Sequence, residues 1–232
     1  MYPGIHAQSH PERLAFIMAG SGESVTYGEL EARSNRLAHL LRSLGLQRGD
    51  HYAMFMENNA RFIESCSAVE RSGLYYTCIN SFLTAEELAY IVGNCEAQVL
   101  ITSQAKLDVV REALRSCPKV LRCLVVDGVP EGETDPKFAS LDSAVAAFPA
   151  TPIADEWLGT AMLYSSGTTG RPKGVQRPLA DNPPSQPLPL FAFLSKLWRY
   201  TEGLTYLSPA PLYHSAPQAA VAPTIRHGGT AI

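Results

Sequence analysis

Residues 165 to 174 read Ser165-Ser166-Gly167-Thr168-Thr169-Gly170-Arg171-Pro172-Lys173-Gly174, directly after the apolar run Ala161-Met162-Leu163-Tyr164. Six consecutive small or hydroxylic residues carry little side-chain bulk. Glycines permit close approach and positive φ, so main-chain N–H groups can converge on phosphate oxygens while four hydroxyls add donors. Lys173 supplies a point charge beside them. Such a cradle suits a triphosphate whose pyrophosphate leaves, because donors fixed in advance stabilise charge as it develops. Composition alone would make the stretch a plain turn. Its order excludes two better-known phosphate loops. A P-loop needs G-x-x-x-x-G-K-[ST], whereas here Pro172 precedes Lys173 and Gly174 follows it. A dinucleotide fingerprint needs a G-x-G triplet opening a helix, and none is present.

The second candidate is His214. Without context a histidine after Tyr213 is more often a satisfied structural residue than a catalytic one. His6, His10, His39, His51 and His227 have no chemical context and read as surface or packing residues. Five cysteines, Cys66, Cys78, Cys95, Cys117 and Cys123, form no CxxC pair and have no histidine at metal-ligand spacing. Buried reduced thiols are the expectation, which points to the cytoplasm, and no metal ligands are assigned. Pro184-Ser185-Gln186-Pro187 matches PxxP, but a shaped loop packed on the domain is preferred to an SH3-type ligand.

These residues need elements to position them. From about 26 to 126, helix-period segments alternate with short apolar runs, the pattern of βαβ units and a largely parallel sheet, so the fold class is α/β. Thr26 and Glu29 form a capping box, and Leu30, Leu37, Leu40, Leu41 and Leu44 then share a helical face up to Gly45. Strand 52–56, helix 61–72 ending at Gly73, and strand 75–79 follow. Thr84 and Glu87 cap a helix to about Asn94. Next come strand 98–102, helix 107–116 and strand 121–126. A Gly, Pro and acidic loop over 127–136, a short helix, and Pro149 to Pro152 set a boundary near 150. The first α/β subdomain is therefore placed at 1–150. The phosphate-loop segment and the start of an incomplete second subdomain occupy 151–232, with strand 161–164, an irregular Pro-rich stretch 178–189, helix 191–199 and strand 205–207. The last residues, 229–232, look like the opening of a further strand.

In order and type, residues 165–174 resemble the phosphate loop of the adenylate-forming superfamily of acyl-CoA synthetases, luciferases and peptide-synthetase adenylation domains. Val25-Thr26-Tyr27-Gly28-Glu29-Leu30 is similar to its T-Y-x-E-L motif. Residues 71–80 resemble A-G-x-x-Y-x-P-x-N, although Thr77-Cys78 lacks the family's proline. Pro211-Leu212-Tyr213-His214 resembles P-L-F-H, and the four motifs occur in the family's order across most of the chain.

The resemblance implies the N-terminal part of the family's large domain: a mostly parallel sheet flanked by helices. It implies attack of a carboxylate on the α-phosphate of Mg-ATP, then capture of acyl-AMP by coenzyme A, with ATP, Mg2+ and coenzyme A as co-substrates. Ser165, Ser166, Gly167, Thr168, Thr169, Gly170 and Lys173 would hold the nucleotide phosphates. Lys173 would offset charge on the leaving pyrophosphate. His214 would position groups at the mouth of the acyl pocket. Tyr213-His214-Ser215-Ala216-Pro217 favours fatty over amino acids, with aryl acids left open.

The family's Mg-holding Glu, ribose-binding Asp, hinge and mobile C-terminal domain lie beyond the P-L-F-H region and have no counterpart here. The expectation is therefore a truncated chain: the front of an acid–CoA ligase, inactive alone, or a fragment that at most binds nucleotide or pyrophosphate. A third alternative is a remnant that only binds a partner. A formal net charge of -3 with no Lys/Arg-rich block gives no support for nucleic acid or an anionic membrane as a partner of the whole. The sequence shows no export signal and no transmembrane run. The partner that the resemblance implies is a small carboxylic acid, with a homodimer left open.

Overall fold

The computed structural model describes residues 3–165 and 171–232. Helix α1 (Pro3–Ser9) leads into the hairpin β1 (Leu14–Ile17) and β2 (Ser24–Thr26). Helix α2 (Tyr27–Ser43) starts where expected: the Thr26 hydroxyl accepts from the Glu29 N–H, and the Glu29 carboxylate accepts from the Thr26 N–H at 2.9 Å. Two orphan donors of the first turn are thereby satisfied.

Strand β3 (His51–Phe55), helix α3 (Ala60–Ser72), strand β4 (Tyr75–Cys78), helix α4 (Ala85–Asn94), strand β5 (Val99–Thr102), helix α5 (Leu107–Leu114) and strand β6 (Arg122–Val125) then alternate as the sequence pattern requires. Gly73 ends α3 at φ 66°, the left-handed position that glycine adopts at least cost. Thr84 and Glu87 close a second capping box on α4.

Strand β7 (Phe138–Ser140) and helix α6 (Leu141–Val145) follow, then strand β8 (Thr160–Ala161). The six strands line up as β7-β6-β5-β3-β4-β8, every pair parallel. Side chains alternate across this sheet. Tyr52 and Met54 join Leu30, Leu37, Leu41, Phe62 and Val69 of α2 and α3 in one core, while Ala53 and Phe55 join Leu88, Val92 and Val110 of α4 and α5 in the other. Both faces are covered, which is why the strands read as continuous apolar runs. Each leucine buried this way contributes about 1.5–3 kcal/mol.

The run expected as one strand from Ala161 to Tyr164 is two. β8 ends at Ala161, and β9 (Leu163–Ser165) leaves the sheet to pair antiparallel with β10 (Lys173–Val175). The joint is Met162. Its N–H still bonds the Tyr76 carbonyl at 2.8 Å, but its carbonyl accepts from the Thr77 hydroxyl at 3.2 Å, so a side chain replaces the next rung.

Helix α7 (Pro189–Leu197), strand β11 (Thr205–Tyr206), helix α8 (Ser215–Arg226) and strand β12 (Thr230–Ala231) complete the order. β12 lies between β11 and β1 in a second sheet, β11-β12-β1-β2. Among the described residues no helix is long and apolar enough to cross a membrane. All five cysteines are free, and all but the half-buried Cys66 are buried, as expected.

Candidate functional site

Five residues expected to hold phosphate, Ser166, Gly167, Thr168, Thr169 and Gly170, lie outside the described residues. The frame that carries them is described. Ser165 and Lys173 are register partners at the open end of the β9–β10 hairpin, and both are exposed. A hydroxyl and an ammonium are thus set side by side where the two strands meet the intervening segment.

Two tyrosines hold the hairpin to α4. The Tyr164 hydroxyl donates to Asn94 Oδ1 at 2.5 Å, and the Tyr90 hydroxyl donates to the Pro172 carbonyl at 3.1 Å. The Arg171 guanidinium lies 5.0 Å from the Tyr90 ring centroid, a cation–π contact beside the loop. Burial pushes the Tyr164 hydroxyl well above its ordinary value, so it stays a donor. Gly174 fits because it has no side chain: a Cβ there would lie 2.4 Å from Met162 Cε and 2.9 Å from Tyr164 Cζ. Further along, the Tyr75 hydroxyl donates to the Arg177 carbonyl at 2.5 Å and ties the outgoing strand to the sheet.

The Pro211–His214 stretch is fixed from the loop after β3. The Leu212 N–H donates to Asn58 Oδ1 at 2.8 Å, and Leu212 is buried against the core of α3. His214 is the residue before α8, with extended backbone (φ -84°, ψ 149°), and its ring lies 4.5 Å from that of Tyr213. It is exposed. Gln218, one turn into α8, donates to the Leu212 carbonyl at 2.8 Å and accepts from the Tyr76 hydroxyl at 3.3 Å.

A cavity of about 280 Å³ lies between β8, α7 and α8. Leu163 of β9 and Ser215 of α8 both line it, so the strand feeding the phosphate loop and the helix beginning after His214 face one space. Glu70 and Arg226 sit in its wall, paired at 3.0 Å, and Arg226 also donates to the Pro184 carbonyl at 2.5 Å. That bond and the burial of Pro184 make the PxxP stretch a packed connection, in line with the preferred reading.

Sequence reasoning missed Asn58, Tyr90, Asn94, Gln218 and the Glu70–Arg226 pair, none of which belongs to a motif; Tyr76 and Thr77 fall within the 71–80 motif, but their contacts with Gln218 and Met162 were not foreseen. Their roles arise from contacts between residues far apart in the chain, for which spacing gives no signal. Among the described residues no cluster of three or more His, Cys, Asp or Glu could hold a metal ion. At the described ends of the hairpin, the Ser165 hydroxyl and the Lys173 ammonium are donors suited to an anion.

Comparison with known proteins gives a family and several relatives. A family model described as "AMP-binding enzyme" matches residues 5–232. The 3-oxocholest-4-en-26-oate–CoA ligase of Rhodococcus rhodochrous is 35% identical over 172 residues, 71% of this chain and 30% of the relative. Human long-chain fatty acid transport protein 1 is 32% identical over 217 residues, 90% of this chain and 32% of the relative. The chain spans about a third of the length of these curated relatives. A solved structure assigned as a long-chain-fatty-acid CoA ligase from Rhodopseudomonas palustris superposes with a TM-score of 0.81 at 25% identity, covering 99% of this chain and 55% of that one. ATP-bound MatB from the same organism gives 0.72 at 28% identity, covering 100% and 45%.

Proposed function

Because the chain belongs to the family of AMP-binding enzymes, we propose that it forms the N-terminal part of an ATP-dependent acid–CoA ligase. In the reaction, an oxygen of the substrate carboxylate attacks the α-phosphorus of ATP and the bond to the bridging oxygen breaks. The products are acyl-AMP and pyrophosphate. The thiol of coenzyme A then attacks the acyl carbon, loses its proton and expels AMP. Mg2+, which arrives with ATP, screens the phosphate charge.

The observation that carries this reading is the pairing of Ser165 with Lys173 at the mouth of a hairpin fixed to α4. Exposed hydroxyl and ammonium donors there fit a polyphosphate. On this reading Ser165, Ser166, Thr168 and Thr169 hold the β- and γ-phosphates. Gly167 and Gly170 let the backbone approach, and Lys173 meets the charge that grows on departing pyrophosphate. His214 positions groups at the entrance to the cavity instead of moving a proton. A fatty acid is the favoured substrate, in keeping with the largely apolar wall of Leu163, Leu190, Phe191 and Leu194.

ATP–pyrophosphate exchange tests it. In an active protein Lys173→Ala is expected to slow exchange about 10²–10³-fold. Exchange at the wild-type rate would remove Lys173 from the mechanism. A second reading, binding of nucleotide or pyrophosphate without turnover, is kept by the span of the match, about a third of each curated relative. Calorimetry with ATP separates the two: heat without exchange favours binding alone, and no heat excludes both for this chain.

A further inference from the structure

Helices α2, α3 and α6 enclose a cavity of about 370 Å³ that shares no lining residue with the cavity between β8, α7 and α8. Each helix turns one face to it. Arg33, Arg36 and Leu37 of α2 recur at helical spacing, as do Arg61 and Glu64 of α3, and α6 adds Asp142 between apolar neighbours.

The Glu64 side chain, 5% exposed, holds two guanidinium groups at once. Arg33 Nη1 donates to its Oε1 and Arg61 Nη1 to its Oε2, each at 2.8 Å. Arg61 Nη2 also donates to Asp142 at 2.6 Å. A guanidinium carries five N–H donors, so both arginines keep donors after these bonds are made. Because Glu64 holds the two heads in place beforehand, a ligand would meet a smaller ordering cost there.

Arg36 differs from both. Its Nε–H is buried without a hydrogen-bond partner, and among the described residues no carboxylate pairs with its guanidinium. A buried donor left unpaired is destabilising, and more so on a charged group. The charges in the wall agree with an empty partner position. Three guanidinium groups, of Arg33, Arg36 and Arg61, face two carboxylates, of Glu64 and Asp142, an excess of one positive charge. The rest of the wall is largely apolar, with Leu37, Leu141 and Val145 prominent in it.

We propose that this cavity binds a small monocarboxylate, its oxygens on Arg36 and on the remaining donors of Arg33 or Arg61, its short hydrocarbon part against Leu37, Leu141 and Val145. Guanidinium and carboxylate match as planar, two-pronged partners. One negative charge cancels the excess in the wall. A doubly charged phosphate ester would reverse it, and a neutral ligand would leave it in place. The volume falls at the small end of the range for small-molecule sites. The proposal stands on the three arginines and does not require the ligase reading.

Nuclear magnetic resonance of the 15N-labelled chain, with sodium hexanoate as the probe, tests it. The Arg36 Nε–Hε signal, assigned by its loss in Arg36→Gln, is expected to shift saturably with hexanoate. It should stay in place with hexanol, which has the same tail without the charge. Arg36→Gln should weaken the binding read on the Arg33 and Arg61 Nε–Hε signals by about tenfold or more, and Arg36→Lys by less. Because Arg36 makes no described side-chain bond, Arg36→Gln should be no less stable than wild type without hexanoate. Added hexanoate should then raise the wild-type unfolding midpoint by more than that of the variant. No saturable shift of the Arg36 signal, an equal shift with hexanol, or unchanged hexanoate affinity in Arg36→Gln overturns the proposal. A saturable shift with inorganic phosphate and none with hexanoate overturns the ligand class. Shifts at Arg226 with Arg36 unmoved would also overturn it, by assigning the acid to the other cavity alone.

Discussion

Replacing Gly159 by alanine adds one methyl group at the crowded start of the strand that leads to the phosphate loop. A Cβ at this position would lie 2.3 Å from the Val69 carbonyl oxygen, 2.5 Å from the Leu74 carbonyl oxygen and 2.8 Å from Val69 Cγ1. The first two are backbone atoms of α3 and of the turn into β4, so no side chain can simply swing aside. The backbones must separate by about 1 Å to restore ordinary contact. Overpacking of this kind costs about 1–3 kcal/mol. The movement also stretches the Gly159 N–H bond to the Glu70 carbonyl and the Thr160 N–H bond to the Leu74 carbonyl, now 3.4 and 3.1 Å, at about 1 kcal/mol for the better one.

The total for Gly159→Ala is about 3 kcal/mol, which in a domain of this size lowers Tm by about 6–12 °C. Urea and thermal unfolding followed by circular dichroism would measure it. Gly93→Ala is the control: Gly93 lies inside α4 with nothing within 4 Å of its added Cβ, so this change should stabilise by up to about 1 kcal/mol. Gly159→Ala within about 0.5 kcal/mol of wild type, the range of a bland surface change, would refute the packing argument.

Three further outcomes are expected. Thr77→Val keeps the shape of the side chain but leaves the Met162 carbonyl without its hydroxyl donor; a loss of about 1–3 kcal/mol in urea titration is expected. Arg226→Met strands Glu70 in the cavity wall and should cost about 3 kcal/mol, while Arg226→Met with Glu70→Leu should recover most of it, a coupling that a double-mutant cycle reads directly. Glu29 and Glu87 accept the N–H groups of Thr26 and Thr84, which holds both carboxyls below their ordinary 4.5. Their contribution is complete above that value and is lost as pH falls through the lower folded values; the double variant Glu29→Gln/Glu87→Gln should therefore show a shallower acid decline in unfolding midpoints.

The framework of the large sheet was legible because its signals are local. Thr26 with Glu29 and Thr84 with Glu87 are complete start signals, Gly73 is a complete stop, and the leucines of α2 repeat at helical spacing. Helix α8 gave no such signal. Pro217 and Pro223 argue against a helix, yet Pro217 falls in the first turn, where its missing N–H costs nothing, and packing of Val221 and Ile225 outweighs Pro223. The break at Met162 is equally invisible, since it depends on a hydroxyl 85 positions away. Strands β1, β2, β7 and β10 are four residues or shorter and carry too little pattern to stand out. In the candidate site, the chain of donors from 165 to 173 is written in residue types, whereas its supports, Tyr90, Asn94 and Tyr164, become neighbours only after folding.

The way β9 and β10 are attached has a mechanical side. Rungs of the large sheet stop at Met162, and past that point the two strands bond to each other and, through the phenols of Tyr90 and Tyr164, to a single helix. Between Met162 and Val175 the attachment of the described residues to the rest of the fold thus includes two phenol contacts to α4 and no ladder bond of the large sheet, and the Tyr75 hydroxyl on the Arg177 carbonyl re-anchors the chain just beyond β10. The phenols of Tyr90 and Tyr164 make α4 the post on which both strands rest.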